Sequence, residues 1–78
     1  MDYRSAIMEF FLEKGVADGL NYSDDLFSGG FINSLFALEI VTYLESTFKI
    51  RIKNKDITEE NFRTIDNIAE LVLRIVNS

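Results

Sequence analysis

Ser34 is the residue of this 78-residue chain whose type and setting most suggest chemistry. Its alcohol stands where a loop with two glycines, Gly29 and Gly30, and the string Phe31-Ile32-Asn33 runs into an amphipathic segment. A serine nucleophile needs a base, and the chain holds no His and no Cys. Serine-hydrolase chemistry, thiolate metal sites and disulfides are therefore excluded, and no catalytic residue of its own is expected. What the position does suit is attachment of a phosphate ester, because backbone N–H groups and the positive end of a helix dipole at a helix N-terminus favour anionic oxygens. The competing role is plainer: Ser is a preferred N-cap, and capping alone would explain a serine before a helix.

The elements that must position this serine follow from hydrophobic spacing. Tyr3, Ile7, Phe10 and Phe11 recur at helical intervals, which predicts a first helix over about 3–14 ended by Gly15. Residues 16–33 are rich in Gly, Asp, Asn and Ser but carry Leu20, Tyr22, Leu26 and Phe27, the pattern of a long loop pinned to a core. A second helix is predicted over 34–48. Residues 49–63 read as irregular, with a short helical turn near 56–61, and the alternation of Lys49, Arg51 and Lys53 with Ile50 and Ile52 reads as extended chain laying its isoleucines on the core. Thr64 caps a last helix with the stripe Ile65, Ile68, Ala69, Val72, Ile75 and Val76. Such a chain is one domain, 1–78, with a single modest core.

Charge bounds the partners. Thirteen acids against eight bases give a net of −5, which disfavours nucleic acid and anionic membrane and favours proteins with basic surfaces. The sign is uneven: residues 1–48 carry eight acids and two bases, and residues 49–55 carry four bases and no acid. That basic run is expected to be a solvated flank. No basic and apolar leader and no bilayer-length apolar run are present, so the expected address is cytoplasmic. No metal site is expected either, since a calcium loop from Asn54 or Asp56 would lack its turn Gly and regular oxygen ligands.

At about 100° per residue, Phe36, Ala37, Ile40, Val41, Tyr43, Leu44 and Phe48 form the core arc of the second helix. The opposite arc holds Glu39, Thr42, Glu45 and Ser46, and also Leu35 and Leu38. Those two leucines either pack under the long loop or stand exposed beside Ser34 as a docking patch framed by acids.

The residues GFINSL, followed by FALEIVTYLESTFKIRI and then DITEENFRTIDNIAELV, resemble a free-standing acyl or peptidyl carrier protein along nearly the whole chain. In that family a Gly followed within a residue or two by Asp-Ser-Leu opens the second helix, and the Ser bears 4′-phosphopantetheine. Here Ser34 and Leu35 match, and Asn33 replaces the Asp, removing one negative charge beside the serine without loss of capping ability. The resemblance implies an all-α, small four-helix bundle, with three main helices, one short helix and a long loop between helices 1 and 2. It implies a 4′-phosphopantetheine arm, drawn from coenzyme A and linked to Ser34, that holds an acyl or aminoacyl group as a thioester. Asn33 and Leu35 would frame the arm, Leu38, Glu39, Thr42 and Glu45 would meet partners, and Ile57 would neighbour the arm. The implied partners are a phosphopantetheinyl transferase, an acyl- or aminoacyl-loading enzyme and downstream synthase, tailoring or transferase enzymes, meeting a monomeric, non-catalytic carrier. The string NSLFA is also similar to carriers of unusual polyketide extender units, which places the expected role in polyketide or nonribosomal-peptide biosynthesis. The alternative is an unmodified acidic helical module that binds another protein.

Overall fold

The computed structural model describes residues 2–78, and those residues contain helices and turns but no strand. Helix α1 spans Tyr3–Glu13. Its N-cap is Asp2, whose carboxylate accepts the N–H groups of Arg4 at 3.1 Å and Ser5 at 3.4 Å. Gly15, at φ +75°, turns the chain away after the cap residue Lys14. Helix α2 spans Ser34–Phe48 and ends at Lys49, which adopts the left-handed conformation that favours Gly. Helix α3 spans Ile65–Val76, with the Thr64 hydroxyl accepting the Asn67 N–H at 2.9 Å.

The expected short fourth helix is only a 3-10 turn, Asn54–Asp56, followed by looser turns. Side chains there take the bonds a helix would need. The Thr58 hydroxyl accepts the Asn61 N–H at 3.1 Å, the Asn61 amide donates to the Asp56 carbonyl at 2.9 Å, and the Asn67 amide donates to the Glu60 carbonyl at 3.0 Å.

The core is apolar, with Phe11, Phe62, Leu26, Ile40, Leu44, Ile65 and Leu71 among its fully covered side chains and no buried polar residue among the described residues. Aromatic contacts lock α1 against α2: Phe10 stacks on Tyr43 with ring centroids 4.3 Å apart, and Tyr3 meets Phe48 edge-on at 5.0 Å. Two details depart from the expected α3 stripe. Val76 is exposed, and Leu71 is covered because residues 51–56 run alongside α3 and line a common cleft with it. Ile52 is buried and Ile50 half-buried beneath solvent-facing Lys49, Arg51 and Lys53, as the alternation predicts.

The loop between α1 and α2 is anchored, and this fixes the start of α2. Leu26 is fully covered, its N–H donates to the Arg63 carbonyl at 2.7 Å, and its own carbonyl accepts from Phe31 at 2.9 Å and Ile32 at 3.2 Å. Ile32, two residues before Ser34, is buried as a second anchor.

Candidate functional site

Ser34 is exposed and is the first residue of α2. The cap is Asn33, in extended backbone, whose Oδ1 accepts the Phe36 N–H at 2.9 Å and whose carbonyl accepts the Ala37 N–H at 2.8 Å. The capping role open to Ser34 thus belongs to its neighbour. Among the described residues its hydroxyl makes no hydrogen bond, and the N–H groups of Ser34 and Leu35 have no acceptor. No acidic side chain occupies the first turn of α2. An exposed alcohol, two unpaired donors and the positive end of a 15-residue helix therefore meet at one point. The residues present fit an attached phosphodiester.

The glycines ahead of it serve the loop. A side chain on Gly29 would approach the Phe31 ring to 2.6 Å, and Gly30 holds φ +75°. The Asp25 carboxylate accepts the N–H groups of Phe27 and Ser28, both at 3.0 Å, closing the turn that leads to them. The Ser28 N–H, with that of Phe27, holds the Asp25 carboxyl below the usual carboxylate range.

Leu35 and Leu38 stand exposed, at 71% and 58%, rather than under the loop. Two shallow grooves meet at Leu35. One, of about 470 Å³, runs along the outer face of α2 against the end of α1, walled by Phe10, Tyr43, Leu38 and Thr42. The other, of about 300 Å³, lies toward Gly30, Phe31 and Asn33. Lys14 and Glu39 line both and bridge them with an ion pair of 3.2 Å. Burial raises the pKa of the Tyr43 hydroxyl in the first groove, and that hydroxyl donates to the Ala6 carbonyl at 2.9 Å.

The polar groups expected to meet partners have internal engagements. Thr42 donates to the Leu38 carbonyl at 3.0 Å, and Glu39 is paired with Lys14. Glu45 is half-buried, and its carboxylate accepts the Ile52 N–H at 2.8 Å, which ties the segment after α2 to the helix. Ile57, half-buried after the 3-10 turn, packs on the core and is not among the residues lining either groove beside Ser34. Lys14 was not foreseen as a site residue. Its only signal in the sequence is its place as the last base before Gly15, and the contact with Glu39 arises from tertiary packing.

A small helical body that presents an exposed serine at the first position of a long helix is compatible with a carrier protein, and the relatives of the chain are carriers. The chain is 29% identical to the D-alanyl carrier protein of Streptococcus thermophilus over 79 aligned positions, covering all of both chains. It is 28% identical to that of Streptococcus sanguinis over the same span. Identity to the D-alanyl carrier protein of Streptococcus uberis is 31% over 55 residues, 70% of each chain. The chain belongs to the carrier-protein family that these relatives represent. No protein-family profile and no solved structure matches it. The relatives bear the name of D-alanyl carriers and lend no support to the polyketide and nonribosomal-peptide setting suggested by NSLFA. No described helix is long and apolar enough to cross a membrane.

Proposed function

We propose that Ser34 is the attachment point of 4′-phosphopantetheine and that the chain carries an aminoacyl group between cytoplasmic enzymes. The observation that carries the reading is the freedom of the Ser34 hydroxyl, exposed at the first position of α2 with the capping duty discharged by Asn33. The attached group supplies the thiol that this Cys-free chain lacks, on which cargo is held as a thioester. The protein's own part is to hold the attachment point rigidly. Leu26 and Ile32 fix the loop, the unpaired Ser34 and Leu35 N–H groups would be available to the phosphate once attached, and Leu35 and Leu38 offer an apolar surface to the transferase and to loading and receiving enzymes. The relatives' name makes D-alanine the first cargo to test.

The test is to incubate the protein with coenzyme A, magnesium and a broad-specificity phosphopantetheinyl transferase, then weigh it intact and locate the adduct by fragmentation. One phosphopantetheine on Ser34, and none on a folded Ser34→Ala variant, is the expected result. No gain with several transferases would refute the reading and favour an unmodified interaction module. The loaded form is then offered D-alanine, L-alanine and malonyl groups by enzymes that activate each, and preferential acceptance of D-alanine is expected.

A further inference from the structure

Four bases, Arg51, Lys53, Lys55 and Arg74, line one cleft of about 240 Å³ on the flank of α3, with Asp56 as the single acidic side chain among its lining residues. Counted over side chains alone this is a local excess of three positive charges, with the Ser78 terminus also in the lining, on a chain whose net charge is −5. Among the described residues none of the four bases has a carboxylate within ion-pair distance, whereas Lys14 has one and Arg4 and Arg63 have two each. The Arg74 guanidinium reaches only the Asn61 side-chain oxygen, at 3.3 Å. The folded chain therefore gathers half of its bases and leaves the four in the cleft without internal carboxylate partners.

The row is rigidly mounted. Ile52 is buried between Arg51 and Lys53, and its N–H is held by the Glu45 carboxylate at 2.8 Å. Lys53 has extended backbone and Lys55 lies in the 3-10 turn that follows, so the row bends toward α3 at its end. Leu71 and the half-buried Ile75 supply an apolar floor, and none of the large exposed apolar residues lies in the cleft.

We propose that this cleft docks an acidic segment of a partner protein, an extended stretch whose carboxylates meet the four bases and whose small apolar residues lie on Leu71 and Ile75. Charge complementarity fits such a segment. A flat anionic bilayer fits less well: it would reach only the rim of a concave site, would find no exposed apolar side chain there to bury, and would repel the remaining acidic surface. The cleft is thus a second docking surface, opposite in sign to the face of α2. It is independent of any modification of Ser34.

The test uses the full ¹⁵N-labelled chain at low salt, titrated with an octapeptide of alternating Glu and Ala. Amide shifts confined to residues 51–56 and 71–78 are expected, with none from an alternating Lys-Ala octapeptide. The K53E/K55E variant should weaken the interaction by roughly tenfold or more, and Asp56→Asn should tighten it. Retained spectral dispersion shows that each variant is folded. Shifts scattered over the surface, or unchanged affinity in K53E/K55E, would overturn the proposal. So would equal shifts from inorganic phosphate, which would mark a site for small anions. Cosedimentation with equal-part phosphatidylcholine–phosphatidylglycerol vesicles, abolished by K53E/K55E while the peptide gives no shift, would assign the cleft to a membrane. Self-association abolished by the same variant would assign it to a second copy of the chain.

Discussion

Removing the Asn33 side chain and removing the Ser34 hydroxyl are expected to separate stability from function at adjacent positions. The Asn33 Oδ1 satisfies the Phe36 N–H at 2.9 Å, one of the donors that the start of α2 would otherwise leave unpaired. Its loss in Asn33→Ala should cost about 1 kcal/mol. For a domain of this size that lowers Tm by about 4–8 °C. Ser34 caps nothing and is exposed, so Ser34→Ala should stay within about 0.5 kcal/mol of the parent while losing all modification. Asn33→Asp keeps an acceptor and adds a negative charge to a first turn that has none, which should stabilise by about 0.3–1 kcal/mol at low salt and fade as salt rises. The assay is thermal and urea unfolding followed by far-UV circular dichroism, paired with the intact-mass test for phosphopantetheine. If Ser34→Ala proved as destabilising as Asn33→Ala, Ser34 would be a structural residue and the argument from its free hydroxyl would fail.

Glu45→Gln should preserve the bond to the Ile52 N–H, whereas Glu45→Ala should lose about 1 kcal/mol; equal stability of the two in urea would show that the bond contributes nothing. Asp25 has its folded-state pKa depressed, so its contribution is present above the unfolded pKa of about 3.9 and is lost as pH falls through the lower folded value. Acid titration of Asp25→Asn should accordingly show a flatter loss of stability in that window, and an unaltered curve would count against the Ser28 and Phe27 bonds. Lys49 sits at φ 58° at the end of α2, and Lys49→Gly should raise stability by about 0.5–1 kcal/mol in thermal melts by relieving the left-handed strain. Leu35→Ser and Leu38→Ser should leave the melting curve nearly unchanged but reduce transferase kcat/KM by about tenfold, the scale of leaving most of a leucine unburied at an interface. A normal rate for both would remove these leucines from the docking surface.

The extents of α2 and α3 were legible because a capping residue and a long apolar arc coincide at each. Thr64 and its stripe mark α3 in this way, and the arc from Phe36 to Phe48 marks α2, whose end at a left-handed Lys49 only the structure shows. The assignment of the cap at α2 was not legible. Asn and Ser are near-equal cap formers standing side by side, and only the backbone conformation of Asn33 decides between them. The segment after Lys55 misled for a related reason. Thr58, Asn61 and Asn67 have side chains that serve a helix or replace its bonds, and their distant partners, such as the Glu60 carbonyl for Asn67, are fixed by tertiary packing.

The same limit governs the docking face of α2. Helical spacing places Leu35, Leu38, Glu39, Thr42 and Glu45 together, but spacing cannot tell which of them are already engaged. Glu39 is bound to Lys14, Thr42 to its own helix and Glu45 to Ile52, while Leu35 and Leu38 remain largely exposed. A partner drawn to the carboxylates must compete with a 3.2 Å ion pair and a 2.8 Å hydrogen bond, whereas one that covers the leucines displaces only water. The net gain on contact therefore resides mainly in the two apolar side chains that flank Ser34. On the proposed function the acids would act at longer range, by orienting the approach.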